Sequence, residues 1–150
     1  MLKRTVYTKT ISEAKIERKA HLFDAKGQKL GRLASVVAAK LIGKHKVNYA
    51  PNLDMGDYVI IVNSDKLDIN ARKINSKQYT RYSGYQSGLK TVSMASMWPK
   101  ESSKIINLAV KGMLPDNKLK KARLSRLYVF RHENYSLSPK IQKLIIKKDA

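Results

Sequence analysis

Apolar positions along this chain follow two rhythms, and each marks a different kind of element. Residues 21–25 are short and mixed and read as a strand, closed by a turn at Lys26-Gly27. Beyond Leu30-Gly31, the positions Leu33, Val36, Val37 and Leu41 recur at helical spacing and predict a helix over residues 32–42. Ala34, Ala38 and Ala39 add helix propensity and allow close packing. Gly43 is placed to end that helix, and the cations Lys44 and Lys46 follow, where positive charge suits a helix C-terminus. Residues 57–63 then carry Val59, Ile60, Ile61 and Val62 without interruption. A β-branched run apolar on both faces predicts a central strand covered from both sides.

The remaining signals are less regular. Residues 66–74 read as a further short strand or edge. Residues 79–90, with Gly84 and Gly88, read as a loop. A second helix is predicted over residues 101–112 from Ile105, Leu108 and Ala109, with Ile106 and Val110 nearby. A turn follows at Leu114-Pro115-Asp116-Asn117. Residues 118–127 read as a basic helix with Leu119, Ala122 and Leu127 inward, and residues 127–130 as a final strand. Ser138 before Pro139 predicts a short C-terminal helix through Ile141, Leu144 and Ile145. Alternation of strands and helices gives an α/β fold class. The expected organisation is a basic arm at residues 1–20, a folded domain at 21–131 and a C-terminal extension at 132–150.

Charge changes this picture from a fold to a binding protein. The chain of 150 residues holds 31 Lys+Arg against 11 Asp+Glu, a net charge of +20. A net charge of that size repels itself and calls for a polyanionic partner, with nucleic acid favoured over an anionic membrane surface. The excess is uneven: net +4 over residues 1–20, +5 over 21–80 and +11 over 81–150. The absence of Cys excludes a disulfide scaffold, a Cys-ligated metal site and a thiol enzyme. With no run of 18 apolar residues, no membrane-spanning helix is expected.

Catalytic patterns are missing. Gly43-Lys44 resembles the end of a phosphate loop, but position 38 is Ala and position 45 is His, where that motif needs Gly and Ser or Thr. His21, His45 and His132 are dispersed along the chain without metal-ligand spacing. Asp54 and Asp57, with Gly56 between them, read as a turn rather than a carboxylate pair. The expectation is a protein that is not an enzyme and needs no metal, cofactor or small-molecule substrate.

Three features point to nucleic acid. Lys111, Lys118, Lys120, Lys121, Arg123, Arg126 and Arg131 crowd one stretch with Asp116 as its only acid, so cations are expected around much of the 118–127 helix. Tyr82 and Tyr85 interleave with Arg81 and Lys90 near Ser83 and Gly84, offering stacking faces beside charge, while one or two tyrosines of this segment are expected to plug the core. Lys44, His45 and Lys46 with Tyr49 form a basic tip after the first helix.

Several blocks occur together in a familiar order: Asp24 to Gly27, Leu30-Gly31-Arg32-Leu33-Ala34-Ser35, Gly43-Lys44-His45-Lys46, Asp54-Met55-Gly56-Asp57, Arg81-Tyr82-Ser83-Gly84-Tyr85 with Gly88-Leu89-Lys90, and Ala109-Val110-Lys111-Gly112-Met113-Leu114-Pro115. Between about residues 20 and 130 the chain resembles the large-subunit ribosomal protein L-thirteen family in its bacterial-type form. It departs from the family pattern at Asn52, Asn70-Ala71, Gln86-Ser87, Lys120 and Glu133 to Ser136. The resemblance implies a three-layer α/β/α fold around a mostly parallel sheet. It also implies a structural role on large-subunit ribosomal RNA beside neighbouring ribosomal proteins, as a monomer, with a part in early subunit assembly. A secondary role as a messenger-RNA-binding regulator and a cytoplasmic ribosome, or alternatively an organellar one, belong to the same expectation. The RNA contacts it implies are Arg32, Lys44, His45, Lys46, Arg81, Tyr82, Ser83, Gly84, Tyr85, Lys90, Lys111, Gly112 and Met113. Lys118, Lys120, Lys121, Arg123, Arg126 and Arg131 join them on charge, and Tyr49 by position.

Overall fold

The structure is a computed structural model that describes residues 16–133, 135–137 and 144–146. In chain order its elements are β1 (Ala20–Asp24), α1 (Leu30–Ile42), β2 (Tyr58–Val62), α2 (Ala71–Ser76), β3 (Gln78–Tyr82), β4 (Leu89–Ser93), α3 (Met94–Met97), α4 (Ser102–Met113), α5 (Leu119–Leu124), β5 (Leu127–Val129) and β6 (Ile145–Ile146).

Four strands form a parallel sheet in the order β5-β2-β1-β6. β2 sits inside that sheet because both of its faces are apolar. Val59 and Ile61 point into a core shared with Phe23 and with Leu33, Val37 and Leu41 of α1 and Ile105, Ile106 and Val110 of α4. Ile60 and Val62 point the other way, into a second cluster with Ala20 and Leu137, flanked by Phe130, Tyr135 and Leu144. The sheet is thus covered by helices on one face and by the C-terminal chain on the other, an α/β architecture on a mostly parallel sheet. Each large side chain so buried contributes about 1.5–3 kcal/mol. An exposed pair such as Lys104–Glu101 contributes about 0–1 kcal/mol, so the apolar faces set the fold.

Helix α1 buries Leu30, Leu33, Ala34, Val37, Ala38, Leu41 and Ile42, the i, i+3, i+4 stripe expected of it. Val36 lies off that stripe and is 48% exposed. Gly43 ends the helix at φ 89, in the left-handed region, and donates its N–H to the Ala39 and Lys40 carbonyls.

Four sequence expectations are corrected. Residues 66–74 form no strand of a sheet. Only an isolated bridge joins Lys29 to Asp68, and α2 follows, started by Asn70, whose side chain accepts from the Arg72 N–H. The expected loop at 79–90 is instead an antiparallel hairpin of β3 and β4, with Gln78 opposite Ser93 and Tyr82 opposite Leu89. Its cross-strand pairs, Tyr79 with Val92 and Thr80 with Thr91, supply the β-forming side chains that the two glycines mask in a sequence reading. Ile145, expected in a helix, lies in β6 beside β1, so β5 is not the last strand. The rest of that expected helix, residues 138–143, is outside the described residues. Finally, Ala122 is exposed, and the inward residue of α5 is Arg123.

Candidate nucleic-acid interface

The loop before β2 carries two acids that organise most of the cations around them. Asp57 is fully buried. Its Oδ1 accepts from the Lys19 N–H at 3.1 Å and meets the Lys46 Nζ at 2.6 Å. Its Oδ2 meets the Nε2 atoms of His21 at 3.1 Å and His45 at 2.8 Å. Burial alone would push this carboxyl up. Hydrogen bonds from His21, Lys46 and the Lys19 amide, with the Lys46 charge, overcome it and hold the group well below the usual carboxylate range. Burial likewise pushes the His45 imidazole below its ordinary 6.5, outweighing the lift from Asp57. Two of the dispersed histidines therefore converge on one carboxylate. His21, His45 and Asp57 place their ligand atoms within 4.8 Å of one another, while Lys46 holds the second carboxylate oxygen.

Asp54 does the same for arginine. Arg126 grips it with both terminal nitrogens at 2.5 Å, Arg123 approaches at 3.7 Å and Arg18 at 3.8 Å. Arg123 is 1% and Arg126 6% exposed. Gly56 makes this junction. A Cβ there would fall inside the Leu41 carbonyl and lie 3.0 Å from an Arg126 nitrogen, so only glycine lets the loop pass between α1 and that guanidinium. The expectation of cations displayed around much of the 118–127 helix is corrected accordingly. Arg123 and Arg126 turn inward because Asp54, far away in sequence, supplies the counter-charge. Lys118 and Lys121 remain exposed, while Lys120 is half-buried and paired with Asp116.

Other expected contact residues divide by burial. Arg32, Lys44, Lys111, Gly112 and Met113 are exposed. The fold brings several together, since Ser35 Oγ lies 3.6 Å from Met113 Sδ and a shallow groove is lined by Ser35, Ala38, Ala39, Lys44 and Met113. Arg32 sits one helical turn before Ser35. His45 and Lys46 reach back to Asp57, and Tyr49 is half-buried against the main core. Arg131 is bound by Asp65 at 3.1 Å and by the carbonyls of Pro99 and Lys100.

The hairpin projects Arg81, Tyr82, Ser83, Gly84, Tyr85 and Lys90 outward. Tyr79 is its core plug, half-buried against the main cluster, whereas Tyr82 and Tyr85 are 64% and 79% exposed. Gly88 serves the loop itself, because a Cβ there would strike the Ser83 hydroxyl and lie 2.9 Å from the Tyr85 carbonyl. Sequence reading missed Arg72, Lys73 and Lys77, exposed cations on and beside α2. Their signal is the stretch from Ile69 to Lys100, which contains no Asp or Glu.

Comparison with known proteins gives this arrangement its family. The profile of the family described as Ribosomal protein L13 matches residues 18–136. The chain is 39% identical over 135 residues to the large ribosomal subunit protein uL13 of Dichelobacter nodosus, covering 88% of this chain and 94% of that one. It is 46% identical over 123 residues to the protein of that name from Thermotoga maritima, covering 82% and 83%. With the protein of that name from Clostridioides difficile it shares 40% over 131 residues, covering 85% and 92%. The loop acids, the exposed α1–α4 groove and the basic hairpin all lie within the matched segment, and the chain belongs to the ribosomal protein L13 family.

Proposed function

We propose that this protein is a structural, non-enzymatic constituent of the large ribosomal subunit that binds ribosomal RNA, stabilises its fold and acts early in subunit assembly. It works as a monomer among neighbouring ribosomal proteins. The observation that carries this reading is the family match over residues 18–136 combined with the sorting of cations by the fold. Arginines and lysines that pair with Asp54 and Asp57 are turned inward. Arg32, Lys44, Lys111, Lys118, Lys121, Arg81 and Lys90 are left exposed, with no ion pair among the described residues. A surface kept positive while its interior is neutralised suits a phosphate backbone. Sedimentation of ribosomes from the native source tests it. The protein is expected in the large-subunit fraction and retained through a moderate salt wash, and its recovery only among free soluble proteins overturns the reading.

A further inference from the structure

The β3–β4 hairpin has two chemically different faces at its tip. Side chains alternate across a strand, so the register assigns them. One face carries Gln78 with Ser93, Thr80 with Thr91 and, last, Tyr82 with Leu89. The other carries Tyr79 with Val92 and then Arg81 with Lys90. Tyr79 packs on the main core, so that face is anchored at its base and free at its tip. Tyr82 is 64% and Leu89 62% exposed, an apolar pair facing solvent directly behind two cations.

Neither feature belongs to the buried core. Arg81 and Lys90 are like charges opposite one another, an arrangement that destabilises a hairpin. No acid lies between Asp68 and Glu101 to relieve them. Water and salt screen them in part, and a bound anion would relieve them further. An apolar platform with an aromatic ring on the reverse side asks for a flat unsaturated surface. A nucleotide taken out of its stack offers both, an exposed base and the phosphates that flank it, whereas a paired duplex offers only phosphates.

Resting on the RNA-binding reading above, we infer that this hairpin clamps a single unpaired nucleotide, with the Tyr82–Leu89 pair taking the base and Arg81 and Lys90 the flanking phosphates. Ser83 and Gly88 close the turn through the Ser83 N–H to Gly88 carbonyl bond of 3.2 Å, which holds the two faces in register.

The test uses the full chain and two probes, a fully paired RNA stem-loop and the same stem-loop with one extruded adenosine. The wild type should bind the bulged probe about tenfold to a hundredfold more tightly, the range expected of one stacked base. Tyr82→Ala should erase that preference and Tyr82→Phe keep it, with unchanged melting temperature for both. Arg81→Ala with Lys90→Ala should weaken both probes alike and lower the salt slope by about two. Equal affinity of the wild type for the two probes, or a preference that survives Tyr82→Ala, overturns the clamp while the RNA-binding reading stands. Failure to bind either probe or deproteinised large-subunit RNA overturns both. Binding to phosphatidylglycerol vesicles that needs Tyr82 and Leu89, without preference for the bulge, overturns the clamp in favour of a membrane contact.

Discussion

Asp57 shows how one side chain can decide the charge balance of its neighbourhood. Four donors converge on a carboxylate that has no solvent contact: the Lys19 amide, the His21 and His45 rings, and the Lys46 ammonium, whose charge would otherwise add to a strongly cationic surface. Asp57→Asn removes the charge but keeps the size. It should cost about 3–4 kcal/mol, the lower part of the range for breaking a buried pair, because Lys46 can swing to water. Chemical denaturation of the two proteins measures this. The pH dependence has a definite sign. The folded state holds the Asp57 carboxyl below its ordinary 3.8, so its contribution is complete above that value and is lost as pH falls through the folded one. The gap between wild type and Asp57→Asn should therefore be constant at neutral pH and shrink only in acid. His45 titrates in a separate window. Its imidazole is held below 6.5, so the unfolded chain takes up the proton first and stability falls as pH drops below about 6.5. His45→Gln should flatten that slope.

At the scale of elements, the hairpin and α5 separate residues that look alike in sequence. Tyr79 and Tyr85 both sit among cations and small residues, yet one packs on the core and the other projects into solvent. Tyr79→Ala should cost about 1.5–3 kcal/mol of folding stability, less than a fully buried aromatic, while Tyr85→Ala stays within about 0.5 kcal/mol. Thermal melts of the two variants check this, and a large loss for Tyr85→Ala would place that ring in the core after all. In α5 and just beyond it, Lys121→Ala should leave stability unchanged. Arg126→Ala should cost about 3–5 kcal/mol, because Asp54 then loses its bidentate partner. What could be read from sequence follows the range of the forces involved. Helix α1 and strand β2 are set by local periodicity and were legible. The hairpin was obscured because its strands are polar on one face and linked by glycines. The inward turn of Arg123 and Arg126, and the meeting of His21 with His45, depend on acids distant in sequence, where periodicity carries no information. The exposure of the cations on the hairpin and along the α1–α4 groove was legible because their surroundings hold few acids.

For the whole molecule, net charge overstates the positive charge left open to a polyanionic partner. Of the cations expected to touch RNA, Lys46, Arg123, Arg126, Arg131 and Lys120 each have a carboxylate partner. Arg32, Lys44, Arg81, Lys90, Lys111, Lys118 and Lys121 are exposed without one among the described residues. If each of these seven neutralises one phosphate, the dependence of log affinity on log salt should have a magnitude of about 5–6, well short of the slope the full charge of +20 would give. Single substitutions then sort the two classes. Lys111→Gln should reduce the slope by about 0.7–0.9 and leave the melting temperature in place. Arg123→Gln should lower the melting temperature and, measured on the folded protein, leave the slope as it was. Salt titrations of both variants against deproteinised large-subunit RNA, paired with melts on the same samples, make the comparison. A slope change for Arg123→Gln equal to that for Lys111→Gln would mean that the Asp54 cluster opens on RNA and releases its arginines to the phosphates.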